Sequence, residues 1–175
     1  MGFFDRFKKA SKPARPEALS VSAAAGEVLA PVNGDAIELA KVSDPVFSGG
    51  VMGKGCGIKP SGETVYAPVA GELVAIGAPN LHAIAIKGDD GAEVLIHVGV
   101  DTVEMKGDGF TAFAKQGDHV EAGEALLTFS DDKIKKAGYD DVVVMAITNT
   151  DDLKSVDQIK TGTVQAGEAV LTYKK

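Results

Sequence analysis

The stretch NLHAIAIKGDDGAEVLIHVGVD (80–101) carries two of the chain's three histidines, His82 and His97, on either side of a turn. Branched apolar runs flank the GDDG turn, a pattern that reads as an antiparallel β-hairpin. If Asp89 and Asp90 form a two-residue loop, cross-strand partners have numbers that sum to 179, and His82 faces His97. Facing Cβ atoms lie ~4.5–5.5 Å apart. With Asp90 and Gly91 as the loop, the two histidines become diagonal neighbours on one face. Only an odd-length loop would put them on opposite faces. Along the second strand Val94, Ile96, Val98 and Val100 share the side expected to meet the core, while Glu93, Leu95, His97, Gly99 and Asp101 share the other. His97 is thus expected on the non-core face, with Ile84 and Leu95 beside it.

Outward from the hairpin the chain continues as β structure. From Glu27 on, short apolar runs alternate with Gly, Pro, Asn and Asp, the texture of an all-β fold: an antiparallel β-sandwich or partly open barrel with one or two short helices. Expected strands cover 27–32, 36–42, 64–69, 72–77, 82–87, 92–98, 124–129, 142–148 and 168–173. One short helix is expected in SDDKIKKAG, with Ser130 as N-cap and Gly138 as stop. Two echoes point to a duplicated motif. EVLAPVNGDAIEL (27–39) resembles TVYAPVAGELVAI (64–76) at an offset of 37, and VEAGEALLTFS (120–130) resembles VQAGEAVLTYK (164–174) at an offset of 44. So few and irregular repeats exclude a solenoid.

The 175 residues suit one domain with a real core. No apolar run approaches the ~18–20 residues that span a bilayer, and no secretory signal is visible, so a cytoplasmic location is expected. Cys56 is single and reads as a small buried hydrophobe. The net charge of −7 excludes nucleic acid as an expected partner and favours cationic protein surfaces. That charge divides unevenly, +4 over residues 1–15 and −11 over the rest. In the basic segment Phe3, Phe4 and Phe7 share one face at helical spacing, the arrangement of a short amphipathic helix that contacts a membrane surface. Residues 1–20 are therefore expected to be a flexible arm and linker, and 21–175 the folded domain.

A pair of imidazoles serves one of three chemistries: metal binding, acid–base work, or carriage of a phosphoryl group on nitrogen. The third histidine, His119, sits in a polar, turn-rich stretch and reads as solvated. No HxH, HExxH or CxxC spacing supports a dedicated zinc centre, and no P-loop or GxSxG is present. Nucleophilic imidazole is the sharpest reading. A zinc ion gripped by His82 and His97 at an interface is the alternative.

At this point GAEVLIHVGVDTVEMKGDGF (91–110) is similar to the active-site signature of the glucose-type enzyme IIA family of the bacterial phosphoenolpyruvate-dependent sugar phosphotransferase system. Val94 to Val103 meet its pattern in full: three hydrophobics, His, hydrophobic, Gly, hydrophobic, any residue, Thr, aliphatic. DPVFSGGVMGKGCGIKPSGETVYAPVAGELV (44–74) resembles the segment before the family's first histidine, and the likeness runs from about Glu27 to the C-terminus. The resemblance implies that His97 accepts a phosphoryl group on Nε2 from the carrier HPr and passes it to the IIB domain of a sugar permease. It implies that His82 steadies the phosphate oxygens and that the Gly99 carbonyl holds His97 Nδ1–H. Asp44 and Asp101 would flank the site and meet cationic residues of HPr. Val46, Phe47, Val51, Met52, Leu95 and Val103 would form an apolar docking surface. No cofactor is implied, and regulatory partners that read the phosphorylation state are expected by analogy alone. Three positions depart from the family: Asn80 stands where many members have Thr, its amide a partial substitute, Ala78 stands where they have an aromatic, and Cys56 replaces an aliphatic residue.

Biotinyl or lipoyl carriers and cell-wall zinc endopeptidases share some of this texture. The carriers' lysine hairpin is absent despite Lys106 in VEMKGDG, and LIHV supplies one histidine where the endopeptidases need a ligand set.

Overall fold

The computed structural model describes residues 13–79 and 81–175, so Phe3, Phe4, Phe7 and Asn80 lie outside the described residues. In chain order the strands are β1 (Glu27–Leu29), β2 (Gly34–Glu38), β3 (Lys54–Pro60), β4 (Thr64–Tyr66), β5 (Gly71–Ala75), β6 (Ala83–Gly88) and β7 (Glu93–Val98). There follow β8 (Phe110–Ala112), β9 (His119–Val120), β10 (Ala125–Phe129), β11 (Val143–Ile147), β12 (Ser155–Gln158), β13 (Gly162–Val164) and β14 (Ala169–Lys174). An eight-stranded sheet has the order β13-β2-β3-β11-β7-β6-β5-β9, and two three-stranded sheets have the orders β1-β14-β12 and β4-β10-β8. Every pairing is antiparallel. Side chains from all three sheets, among them Val28, Val65, Ile96, Leu127, Met145 and Leu171, close one core. The fold is an all-β sandwich.

The echoes in the sequence are echoes in space. At the offset of 37, β1 and β2 fall on β4 and β5; at 44, β9 and β10 fall on β13 and β14. The eight-stranded sheet therefore reads β13-β2-β3-β11 from one edge and β9-β5-β6-β7 from the other. The two halves meet where β11 pairs β7, the strand that carries His97.

That central pair explains the apolar run DVVVMAI. Val143, Met145 and Ile147 point into the main core. Val144 joins a second cluster on the other face of the sheet, with Val42, Phe47 and Val142. On β7, Val94, Ile96 and Val98 are core residues as the alternation requires, and each such burial stabilises the fold by roughly 1.5–3 kcal/mol. Val100 departs from that set. Gly99 has φ +78°, which turns the chain, and Val100 packs against the second cluster instead.

Among the described residues two short α-helices interrupt the sheets. α1 (Pro45–Ser48) is N-capped by Asp44, whose Oδ1 accepts from Val46 N–H at 2.9 Å. α2 (Asp131–Lys136) is capped by Ser130, whose Oγ accepts from Lys133 N–H at 3.2 Å, and Gly138 at φ +87° lets the chain leave it. β3 was not among the expected strands because its glycines mimic a loop. They are needed in a strand here: a Cβ on Gly57 would lie 2.6 Å from Val42 Cγ2, and one on Gly55 would strike the β11 backbone. Between these glycines Cys56 is fully buried, and burial pushes its thiol up to about 12.

The hairpin register differs from both even-loop expectations. Ala83 pairs His97, Ile84 pairs Ile96 and Lys87 pairs Glu93, so partner numbers sum to 180. Gly88 N–H donates to Ala92 O at 2.8 Å, and Gly91 takes φ +103°, which makes a three-residue loop of 89–91. Ile84 consequently faces the core, fully buried, and is not a neighbour of His97 on the outer face.

The stretch after the basic arm packs onto the body. Leu19 N–H donates to Gly123 O at 2.9 Å, and Arg15 Nε–H donates to Ala125 O at 2.9 Å. Leu19 and Val21 lie over Gly123 and Gly167, which the 44-residue echo makes equivalent; a Cβ on Gly167 would come 3.0 Å from Val21 Cγ1. No helix among the described residues is long and apolar enough to cross a membrane.

Candidate active site

His97 stands near the end of β7, on the face of the sheet away from the main core, paired with Ala83 on one side and Val144 on the other. His82 lies one residue before β6, where regular pleating has not begun. Its carbonyl accepts from Val98 N–H at 2.8 Å, and by parity a strand residue there would point to the core. Released from the pleat, its ring instead meets that of His97 edge to face, with centroids 4.9 Å apart and planes at 77°. The two imidazoles do meet, through the residue just before a strand rather than through facing strand positions.

Two further contacts fix the His97 ring. Nδ1–H donates to Gly99 O at 2.7 Å, leaving the Nε2 lone pair free. Phe47 packs against the ring at a centroid distance of 5.3 Å, tilted by 53°. Gly99 is required where it stands: besides its φ of +78°, a Cβ there would overlap Thr102 Cγ2 and come 3.0 Å from Asp140 O.

Both rings are held neutral at pH 7. Burial, and then the nearby His97, lowers His82 to about 4. Burial also lowers His97, opposed by its bond to Gly99 and by the negative charges of Asp44 and Asp101. His119 lies apart, bonded through Nε2 to Asp89 at 2.8 Å on the hairpin loop, and this partner raises its pKa. An NMR titration of the three rings should therefore show His119 gaining its proton above 6.5, His97 below 6.5, and His82 last, near 4. The sign for stability follows. The unfolded chain protonates His82 below 6.5 and the folded chain only near 4, so stability present above 6.5 is lost as pH falls through that window. Thermal melts of His82→Gln should fall less steeply between pH 6.5 and 4 than those of the wild type; equal slopes would show that His82 is not the depressed group.

The family profile described as "phosphoenolpyruvate-dependent sugar phosphotransferase system, EIIA 1" matches residues 26–153. The chain belongs to this family. The EIIA chain is 41% identical over 141 residues to the glucose-specific EIIA component of Oceanobacillus iheyensis, covering 81% of this chain and 85% of that one. It is 45% identical over 141 residues to the beta-glucoside-specific EIIBCA component of Bacillus subtilis, of which it spans 23%. Among solved structures, the glucose permease IIA from Mycoplasma capricolum superposes with a TM-score of 0.74 at 36% identity, over 83% of this chain and 93% of that one.

Around the histidines of this EIIA, Val46, Val51 and Val103 are exposed, at 51%, 79% and 48%. Met52 and Leu95 are half-buried against the second cluster. Phe47, expected on the docking surface, is only 5% exposed: α1 turns its ring down onto His97, so it braces the site rather than offering area. A hollow of about 440 Å³ opens beside His82, bounded by Ile76, Pro79, Val103 and Gln116. Among the described residues no group of three or more His, Cys, Asp or Glu is placed to hold a metal ion. Sequence reasoning gave no role to Thr102, buried beneath the His97 loop; its only sequence signal is the fixed Thr of the family signature.

Proposed function

We propose that this EIIA accepts a phosphoryl group on His97 Nε2 from phosphorylated HPr and passes it to the IIB domain of a sugar permease. The observation that carries this reading is the His97 Nδ1–H bond to Gly99 O on a neutral ring, which leaves Nε2 as the nucleophilic nitrogen of that ring. In the uptake step the Nε2 lone pair forms a bond to phosphorus while the bond from phosphorus to the donor's imidazole nitrogen breaks. His97 keeps its Nδ1 proton, so positive charge grows on the ring, and the Gly99 carbonyl with Asp44 and Asp101 stabilises it. The second step reverses this at a IIB nucleophile. His82 supplies an N–H to the equatorial oxygens.

The surroundings suit that traffic. Exposed valines about the pair exclude water from a hydrolysable N–P bond once a partner docks. The acidic body draws a basic donor. In the Bacillus subtilis and Dickeya chrysanthemi relatives, named EIIBCA components, the matched region is part of a longer chain, which favours a IIB domain as the acceptor.

Incubation with phosphoenolpyruvate, enzyme I and HPr should place an acid-labile label on the chain, and added IIB should remove it. An unlabelled chain in a mixture where HPr is labelled would end the proposal.

A further inference from the structure

Thr102 and His82 are the two buried polar residues among the described residues, and Thr102 is the deeper, at 1% exposure. Its Oγ1–H donates to the carbonyl of Val98, the residue after His97. Its methyl occupies the space over Gly99 that a side chain there would fill. The turn between is tight: Gly99 at φ +78° and Asp101 at φ +61° both lie in the left-handed region, and Asp101 has no glycine's freedom to do so. On its far side the turn is gripped by Gly99 N–H to Val142 O at 2.8 Å and Val100 N–H to Asp140 O at 2.9 Å.

A glycine carbonyl is a poor fixed acceptor by itself, because without a Cβ the peptide planes on either side of it rotate easily. The Gly99–Val100 peptide nevertheless has to keep its oxygen on His97 Nδ1. Its N–H is anchored by the 140–142 segment, and its approach to the sheet is closed by Thr102, wedged between the Val98 carbonyl and Gly99. Deleting the hydroxyl would free the Val98 carbonyl and loosen the wedge while leaving the bulk in place.

We propose that Thr102 is a positioning residue that acts through Gly99 to hold His97 in the single tautomer with Nε2 free. The consequence for phosphoryl transfer rests on His97 being the acceptor; the consequence for the tautomer does not. Threonine suits the role better than serine because its branched side chain has restricted χ1, so the hydroxyl stays aimed at Val98.

The test is ¹⁵N NMR of the His97 ring near pH 7.5, alongside the rate of phosphoryl uptake, in wild type, Thr102→Val and Thr102→Ser. Wild type should show one protonated and one free nitrogen. In Thr102→Val, which keeps shape and loses the hydroxyl, the two shifts should converge as both tautomers populate. Uptake at saturating HPr should fall about tenfold with the donor KM within about twofold. Thr102→Ser, which keeps the hydroxyl but loses the methyl over Gly99, should recover part of both. A single tautomer and wild-type uptake in folded Thr102→Val, or no recovery in Thr102→Ser, would overturn the proposal. Mixed tautomers in the wild type would do so even if Thr102→Val failed to fold. A fixed tautomer in wild type and mixed tautomers in Thr102→Val, with no uptake in any of the three, would leave the clamp standing and remove the phosphocarrier reading.

Discussion

His97→Ala should bring phosphoryl uptake from HPr to background, a loss of at least about 10⁴-fold. The reasoning is one of chemistry, since no neighbour replaces the lost nucleophile. His82 stands 4.9 Å away between ring centroids, but among the described residues no hydrogen bond fixes its tautomer as Gly99 fixes that of His97. His119 is bonded to Asp89 at the hairpin loop, the opposite end of β6 and β7 from the pair. The substitution should leave the fold intact, because His97 is half-buried on the outer face and the main core lies on the other side of the sheet. Its cost there is the contact with Phe47 and some freedom for the Gly99 carbonyl, on the order of 1 kcal/mol. Label transfer and a thermal melt on the same preparation separate the two effects. Acid-labile label persisting on a folded His97→Ala chain would move the acceptor elsewhere.

Much of this site was legible in the chain, and the failures have local causes. The alternation of Val94, Ile96 and Val98 gave the outward direction of His97 because a strand's period of two leaves no freedom once one face is buried. The echoes at 37 and 44 gave the symmetric sheet because related sequences pack in related ways. The hairpin register was wrong by one residue: KGDDGAE accommodates loops of two or three residues, and Gly91 with φ +103° took the longer form. The observed register would have separated the histidines had His82 lain within the strand. It lies just outside, and backbone there follows turn geometry rather than the pleat. β3 escaped notice because Gly55 and Gly57 read as a loop, and their reason, a neighbouring strand and Val42 pressing on them, is tertiary. β8, β9, β12 and β13 are two to four residues long, too short for a period to show. Phe47 was misplaced for a similar reason: four residues of helix decide which way its ring turns, and only Asp44 as cap and Pro45 in the first turn announce that helix.

His82→Ala should leave the chain able to collect label but slow its delivery to IIB by about 10²–10³-fold. In the proposed relay both transfers pass through a phosphoryl group whose charge is spread over three equatorial oxygens, with the entering and leaving atoms in line. A neutral imidazole beside the phosphorylated ring offers those oxygens one N–H. In the unphosphorylated chain burial and His97 lower the pKa of His82 to about 4, so it meets the incoming group as a neutral ring. A permanently charged partner would grip the phosphorylated ground state and slow release, whereas a neutral donor strengthens its bond chiefly as charge redistributes in the transition state. Uptake is less exposed to the loss when measured at long times, because phosphoenolpyruvate keeps regenerating the donor and even slow transfer fills the site. Delivery measured in a single turnover has no such reserve. His82→Gln retains an N–H of similar reach and should recover part of the rate, while the same substitution cannot restore the edge-to-face contact with His97. Rapid-quench chase of labelled chain into IIB therefore ranks wild type first, His82→Gln second and His82→Ala last. Delivery from His82→Ala within about threefold of wild type would reduce His82 to a packing partner of the acceptor ring.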